Sequence, residues 1–571
     1  MRSLFFLLAL AGAVLLSGCA SPDSSPESST DSDADYILQN ATIYTANPNR
    51  PTAEALAVSG NDIVAVGSNA DLRDAFPEAP RVDASGHTVV PGLIDSHAHL
   101  MGLGTSLIQA NLVGAPSKQA TLDSLAAFAE TLPEGVWLRG RGWDQNDWPV
   151  KEFPTRHDLD ALFPERPVLL GRVDGHAAWV NTAAINATVG LDSLQAMADP
   201  EGGAILRDAS GVPTGVLIDA AEGVVRADVP PLPDSELDRA LAAALERTAR
   251  YGLTGVHDAG IDLATIGRYR RFIEEDRFPL RLYGMIGGRG ETFDTLCENG
   301  TVDHVSGRLT VRSVKFYMDG ALGSRGAALL SGYSDAPDNR GLLMKQPAPF
   351  EQDVRDAFAC GFQVNTHAIG TRANRVVLDA YEVAMEDASN SPGRHRVEHA
   401  QILHPNDLPR FAELDVIPAM QPTHATSDMY WADDRLGDDR LDGAYAWKSL
   451  QESGARLAFG SDFPVEQVNP LLGFYAAITR QDAEGWPEGG WRSEERVSRE
   501  TALRGFTQNA AYAGFHEDTL GSLTEGKRAD FVILSDDIMQ IPPMQILDTH
   551  VVATYLDGAP IYATDDAPAM P

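Results

Sequence analysis

The sequence predicts an α/β protein built on a (β/α)₈ TIM barrel, and three observations carry that reading. Eight short apolar segments recur along the middle of the chain, helical stretches separate most of them, and polar residues gather at their C-terminal ends. The segments lie at 88–100, 252–260, 279–286, 312–320, 361–370, 395–401, 415–422 and 456–464. The clearest intervening helix is "ELDRALAAALERTARYG" at 236–252, with an apolar stripe at helical spacing. A doubly wound sheet is the competing arrangement, but nothing here resembles a Gly-rich dinucleotide turn.

The remaining segments are additions to that barrel. Residues 1–18 hold one arginine, an apolar run and small residues just before Cys19, the pattern of an export signal too short to span a bilayer. The "LSGC" ending matches a bacterial lipobox, so Cys19 is expected to be the lipidated first residue of a protein anchored in the cell envelope; a signal cleaved without lipid is the plainer alternative. Residues 19–34 are a Ser/Asp/Pro tether that cannot pack. Residues 35–90 and 515–565 both alternate in the manner of antiparallel strands, so the two ends are expected to pair into a small β-sandwich flanking a barrel at 91–514. Residues 101–235 are too long for a βα loop and are read as a domain inserted after the first barrel strand, with Trp143, Trp148 and Trp179 in its core.

Of the 571 residues 43% are hydrophobic, enough for a large core, and the formal charge of −36 excludes nucleic acid, whose phosphates would be repelled. Beyond Cys19 only Cys297 and Cys360 remain, which is no disulfide framework; both are expected to be small buried hydrophobes.

The chemistry begins at "SHAHL", where His97 and His99 share one face of a strand, about 6–7 Å apart. Two histidines at this spacing, with donors at three other strand ends, point to a metal such as zinc. Those donors are His367 in "NTHAIG", His399 in "RVEHAQ" and Asp462 in "GSDFP". Taken alone Asp462 reads equally well as a helix N-cap. Lys315 in "VRSVKFYMDG" is a cation inside an apparently buried strand, an expensive placement without a compensating charge. A snorkelling lysine, or one paired with Asp319, is the bland alternative. His176, Asp174, His257, Asp258 and Arg325 lie at or near the expected mouth, and His424 follows the seventh strand; each is a candidate substrate contact or a loop-holding side chain.

"PGLIDSHAHL", "VKFYMDGALGSR", "THAIG", "RVEHAQ" and "GSDFP", in this order, resemble the amidohydrolase superfamily, and within it the YtcJ-like branch that includes N-substituted formamide deformylases. The resemblance extends to "RGWDQNDWP", "RVDGHAAWVN" and "GSLTEGKRADFVIL" and so covers nearly all of the mature chain. It implies two divalent metal ions, zinc being the expected element, bridged by a CO₂-derived carbamate on Lys315. His97, His99, Lys315 and Asp462 would hold one ion, and Lys315, His367 and His399 the other. Thr371 stands where many relatives carry aspartate, which implies altered surroundings rather than a lost ligand.

The expected activity is hydrolysis of C–N bonds other than peptide bonds, in amides, formamides or related acyl-amines, by a hydroxide bridging the two metals, with Asp462 moving the proton. Ester or lactone hydrolysis on the same site is the alternative. A lipid-tethered solute receptor or a non-catalytic metal binder are rivals of another class. The expected partner is a small-molecule substrate, the membrane is reached through the N-terminal lipid alone, and a homodimer is left open.

Overall fold

The computed structural model describes residues 33–133, 135–173, 177–200, 203–387 and 390–571; the signal segment and Cys19 lie outside the described residues. Eight parallel strands run in chain order around one sheet: β1 (Leu93–Ala98), β2 (Leu253–Ile261), β3 (Arg281–Gly287), β4 (Leu309–Tyr317), β5 (Gln363–Ala368), β6 (Arg396–His399), β7 (Ile417–Met420) and β8 (Ala458–Phe459). Each falls within or overlaps one of the eight predicted segments, because breakers bound the apolar runs on both sides.

The seam between β1 and β8 has no continuous ladder. It is stitched instead by the Asp462 amide donating to the His97 carbonyl at 2.8 Å and the His99 amide donating to the Phe463 carbonyl at 2.9 Å. The buried Asp95 carboxylate adds to this by accepting from the Ser461 hydroxyl at 2.6 Å. Gly460 is required at this seam, since a Cβ there would lie 2.5 Å from Asp95 Oδ1 and 2.6 Å from the His97 nitrogen.

Helices cover the outside. The short α1 (Leu100–Leu107) follows β1 and lies on α2 (Asp234–Arg250), where Gly104 permits contact: a Cβ would sit 2.3 Å from the Ala240 carbonyl oxygen. Helix α2 buries Ala240, Leu241, Ala244, Leu245 and Thr248, the stripe read from its sequence. After β3, β4, β5 and β7 come α3 (Glu291–Asn299), α4 (Pro347–Ala359), α5 (Thr371–Asp387) and α6 (Pro422–Asp428).

Between α1 and α2 a separate six-stranded sheet runs from Ala110–Asn111 to Pro213–Asp219. Trp143, Trp148 and Trp179 form its centre, with ring centroids 5.9–6.5 Å apart. At the other end of the molecule, Thr88–Pro91 from the N-terminal part pairs antiparallel with Phe531–Leu534 from the C-terminal part, and a four-stranded sheet built from residues 36–83 packs with them around Ile43, Leu56 and Phe531. Arg281 at the start of β3 joins this sandwich to the barrel floor through Asp530, at 2.6 and 2.9 Å, and through Asp557.

One expectation is overturned. Cys297 and Cys360 are not separate buried thiols but a disulfide, Cα–Cα 5.0 Å, joining α3 to the C-cap of α4. The two positions are 63 residues apart in the chain but meet because helices following neighbouring strands pack side by side. Closing a loop of 63 residues stabilises by about 4 kcal/mol on the chain-entropy argument. A reductant should therefore lower the denaturant midpoint of the wild-type protein, and should leave a Cys297→Ser/Cys360→Ser variant unchanged.

Candidate metal centre

The strand ends bring His97, His99, Lys315, His367, His399 and Asp462 into one bowl at the C-terminal mouth of the barrel, together with His424 from α6. The ligand atoms of His97, His99 and Asp462 lie within 4.8 Å of one another, and so do those of His399, His424 and Asp462. The imidazoles of His97 and His399 are 4.8 Å apart between centroids, and those of His367 and His399 4.6 Å. Lys315, 1% exposed, places Nζ 3.0 Å from His97 Nε2.

Backbone geometry aims two of these side chains. Glu398 and His399 are consecutive on β6, so an ordinary strand would point them to opposite faces. His399 has φ +73° and Ala400 φ +44°, and this left-handed turn brings the imidazole back toward the interior. Asp462 has φ +63° at the equivalent place after β8.

Hydrogen bonds on the outer ring nitrogens then fix which atom faces inward. His99 Nδ1 donates to the Ala259 carbonyl at 2.9 Å. His399 Nδ1 donates to Gln421 Oε1 at 2.8 Å, and the Gln421 amide is oriented by donating to the Ala419 carbonyl at 3.2 Å. His97 Nδ1 donates to Glu398 Oε2. Each of these rings therefore turns its Nε2 into the bowl. Around His424 the polarity is reversed: Gln401 Nε2 donates to Nδ1 at 2.9 Å, so Nε2 carries hydrogen and faces Asp462 Oδ2 at 3.7 Å.

The electrostatics agree with a cation site. Burial, then the charge of Lys315, holds His97 well below the ordinary histidine pKa and His367 down to about 3, and His399 is depressed by burial and its neighbouring imidazoles. Burial pushes Asp462 upward, but the hydrogen bond from His99 and the neighbouring imidazoles outweigh it and bring the carboxyl down to about 2. His99 moves the other way: burial lowers it, and the 3.1 Å contact with Asp462 more than compensates. Burial brings the Lys315 ammonium down to about 8. A carboxylate thus faces mostly neutral imidazoles. His367 Nε2 is buried with no hydrogen-bond partner, and Asn365, the cross-strand neighbour of Lys315, leaves both amide atoms unpaired. Orphaned donors of this kind fit divalent cations.

Other candidates are placed elsewhere. His257 lies on the barrel floor, 2% exposed, level with Tyr283 and two residues below the Ala259 carbonyl that holds His99; it accepts from Arg396 Nη1 at 2.9 Å and does not reach the mouth. Asp258 caps α1 at the Leu100 amide, 2.8 Å, and accepts from the Tyr269 hydroxyl at 2.6 Å. Arg325 is held in a two-point pair with Asp335 at 3.0 and 2.8 Å, which ties down the loop after β4 instead of facing substrate. Asp319 accepts from the amides of Ala328, Ile369 and Gly370 at 2.8–2.9 Å, so it is not a partner of Lys315. Thr371 accepts from the Leu330 amide at 2.9 Å and anchors that same loop to α5. Asp174 and His176 lie outside the described residues. Sequence reasoning missed Glu398, Arg396, Gln401 and Gln421; the i, i+2 spacing of Arg396 and Glu398 on a strand that ends in a candidate ligand was the available signal.

A sequence profile of the amidohydrolase family matches residues 81–562. The chain is 34% identical to the putative amidohydrolase YtcJ of Bacillus subtilis over 537 residues, covering 92% of this chain and 99% of that protein. It is 29% identical to the N-substituted formamide deformylase of Arthrobacter pascens over 542 residues, covering 92% and 97%. Among solved structures, an uncharacterized metal-dependent hydrolase from Pyrococcus horikoshii superposes with a TM-score of 0.75 at 26% identity, covering 89% of this chain and 99% of the other.

Proposed function

The chain belongs to the amidohydrolase family, and on that premise we propose that it hydrolyses the C–N bond of small amides, formamides or related acyl-amines at a pair of divalent metal ions, with zinc as the working element. The observation that carries this reading is the convergence of inward-facing imidazole nitrogens and the buried Asp462 carboxylate beside Lys315. The formamide deformylase relative supports the choice of bond.

His97, His99 and Asp462 would hold one ion, His367 and His399 the other, and Lys315 as its carbamate would join the two. Carbamylation forms a bond between the neutral Lys315 amine and the carbon of CO₂ with loss of one proton, and the lowered pKa of the buried ammonium favours that amine. When bound, such ions supply the positive charge that makes water nucleophilic near neutral pH and polarises a substrate carbonyl. Asp462 is the group in this bowl able to take a proton from the attacking water and pass it to the leaving amine, since its neighbours keep it ionised. The His424 Nε2–H, 3.7 Å from Asp462 Oδ2, is positioned to donate to a substrate oxygen.

The purified protein, loaded with zinc in bicarbonate buffer, should turn over members of a small amide and formamide library and lose that activity to a chelator. Turnover confined to esters or lactones would reject the C–N assignment, and no turnover of any class would reject the enzyme.

The same reading includes a lipid anchor at Cys19. The Cys297–Cys360 disulfide supports maturation in an oxidising compartment, and the acidic body, at −36, would be repelled by anionic lipid, so acyl chains must supply the attachment. The native protein should partition into detergent, and Cys19→Ser should release it into the soluble fraction; a wild type found wholly soluble would contradict the anchor.

A further inference from the structure

Beneath the bowl lies a charged pair that the proposed reaction does not use. Arg396 and Glu398 are both 0% exposed, on the inner face of β6. Two buried charges are costly to desolvate, and a barrel of this size could fill the space with apolar side chains, so the pair needs a reason beyond stability. Its contacts supply one. Glu398 Oε2 accepts from His97 Nδ1 on β1, and Arg396 Nη2 donates to that same oxygen at 3.0 Å. The guanidinium continues across the floor, with Nη2 on the Ser96 carbonyl of β1, Nη1 at 2.9 Å from His257 Nδ1 on β2, and Nε at 2.7 Å from Glu398 Oε1. His257 is packed on Tyr283 at 5.0 Å between centroids, so the far end of the chain of contacts is itself held.

We propose that Arg396 and Glu398 are a positioning pair for His97: Glu398 fixes the tautomer and raises the donor strength of Nε2, while Arg396 locks the carboxylate to β1 and β2. The first barrel strand meets the eighth across a seam without a ladder, so a cross-brace from β6 adds to what holds His97 in place. Glu398 also sets the charge beneath Lys315, which lies 3.0 Å from the ring it holds.

The inference rests on the metal reading above, and its test separates the two. Zinc affinity is measured by chelator competition in wild type, Glu398→Gln, His97→Ala and the double variant, with thermal melting of each as a check on folding. Glu398→Gln should weaken zinc binding by about 10–100-fold in the wild-type background, as loss of a ligand-orienting carboxylate does elsewhere, and by less than about threefold once His97 is gone, because the brace then has nothing to hold. Equal losses in both backgrounds, or no loss in either, would overturn the pair as a positioning device. Wild type that binds no zinc would overturn the metal reading and this inference with it. Should Glu398→Gln fail to fold, Arg396→Lys gives the same comparison: it keeps the charge but loses the fork to Ser96 and His257, so it should weaken zinc binding in the wild-type background and not in His97→Ala.

Discussion

Lys315→Ala should lower turnover by about two orders of magnitude or more and strip at least one divalent ion from the chain, because on the proposed binuclear reading a ligand shared by both ions would disappear at once. The position leaves little room for a weaker outcome. Lys315 is 1% exposed and abuts His97 Nε2 at 3.0 Å, and burial brings its ammonium down to about 8. A lysine kept only for packing would not need to sit against an inward-facing imidazole nitrogen. Lys315→Arg should be no better than alanine, since a permanent cation facing two cations is the least favourable side chain there. A small carboxylate supplied in excess should restore part of the activity of Lys315→Ala by filling the vacated bridge, and should do nothing for Lys315→Arg. Unchanged turnover and metal content in Lys315→Ala would reduce Lys315 to a strand lysine.

Asp462→Asn should lower kcat by about 10²–10⁴-fold while much of the metal stays bound. The amide keeps an oxygen toward the bowl, and the backbone turn at φ +63° tolerates Asn as it does Asp. What would be lost is the proposed base, a carboxyl that its neighbours bring down to about 2 and so keep ionised throughout the neutral range. Pre-steady-state release of product from substrates with good leaving amines should be affected less than release from poor ones if the proton is delivered late. A kcat near that of wild type would assign the proton transfer elsewhere.

Much of this centre was legible in the sequence because strand parity is a strong rule. His97 and His99 at i and i+2 must share a face, and the eight apolar segments are short enough to admit few other folds. Parity alone misplaces His399, however. The rule puts Arg396 and Glu398 inward and His399 outward, and only the left-handed turn at His399 and Ala400 brings both Glu398 and His399 to the interior. The motif pointed to the histidine and left the glutamate beside it without a role. His257 shows a second limit: the sequence locates it on β2 but not its height, and the register with Tyr283 sets it on the floor. Arg325 was drawn to the mouth by its Gly-rich loop, yet Asp335, ten residues on, takes its charge. The Cys297–Cys360 bond was illegible for a related reason, since it depends on which outer helices are neighbours. Local pattern specifies faces and elements; heights, registers and helix neighbours come from closure of the barrel.

The central claim is that one bowl at the barrel mouth holds two divalent ions joined through Lys315. Metal content per chain, measured by mass spectrometry on protein purified in zinc and bicarbonate and then dialysed, tests it most directly. Close to two zinc ions are expected in wild type and one or none in Lys315→Ala. A single ion in wild type, unchanged in Lys315→Ala, would contradict it.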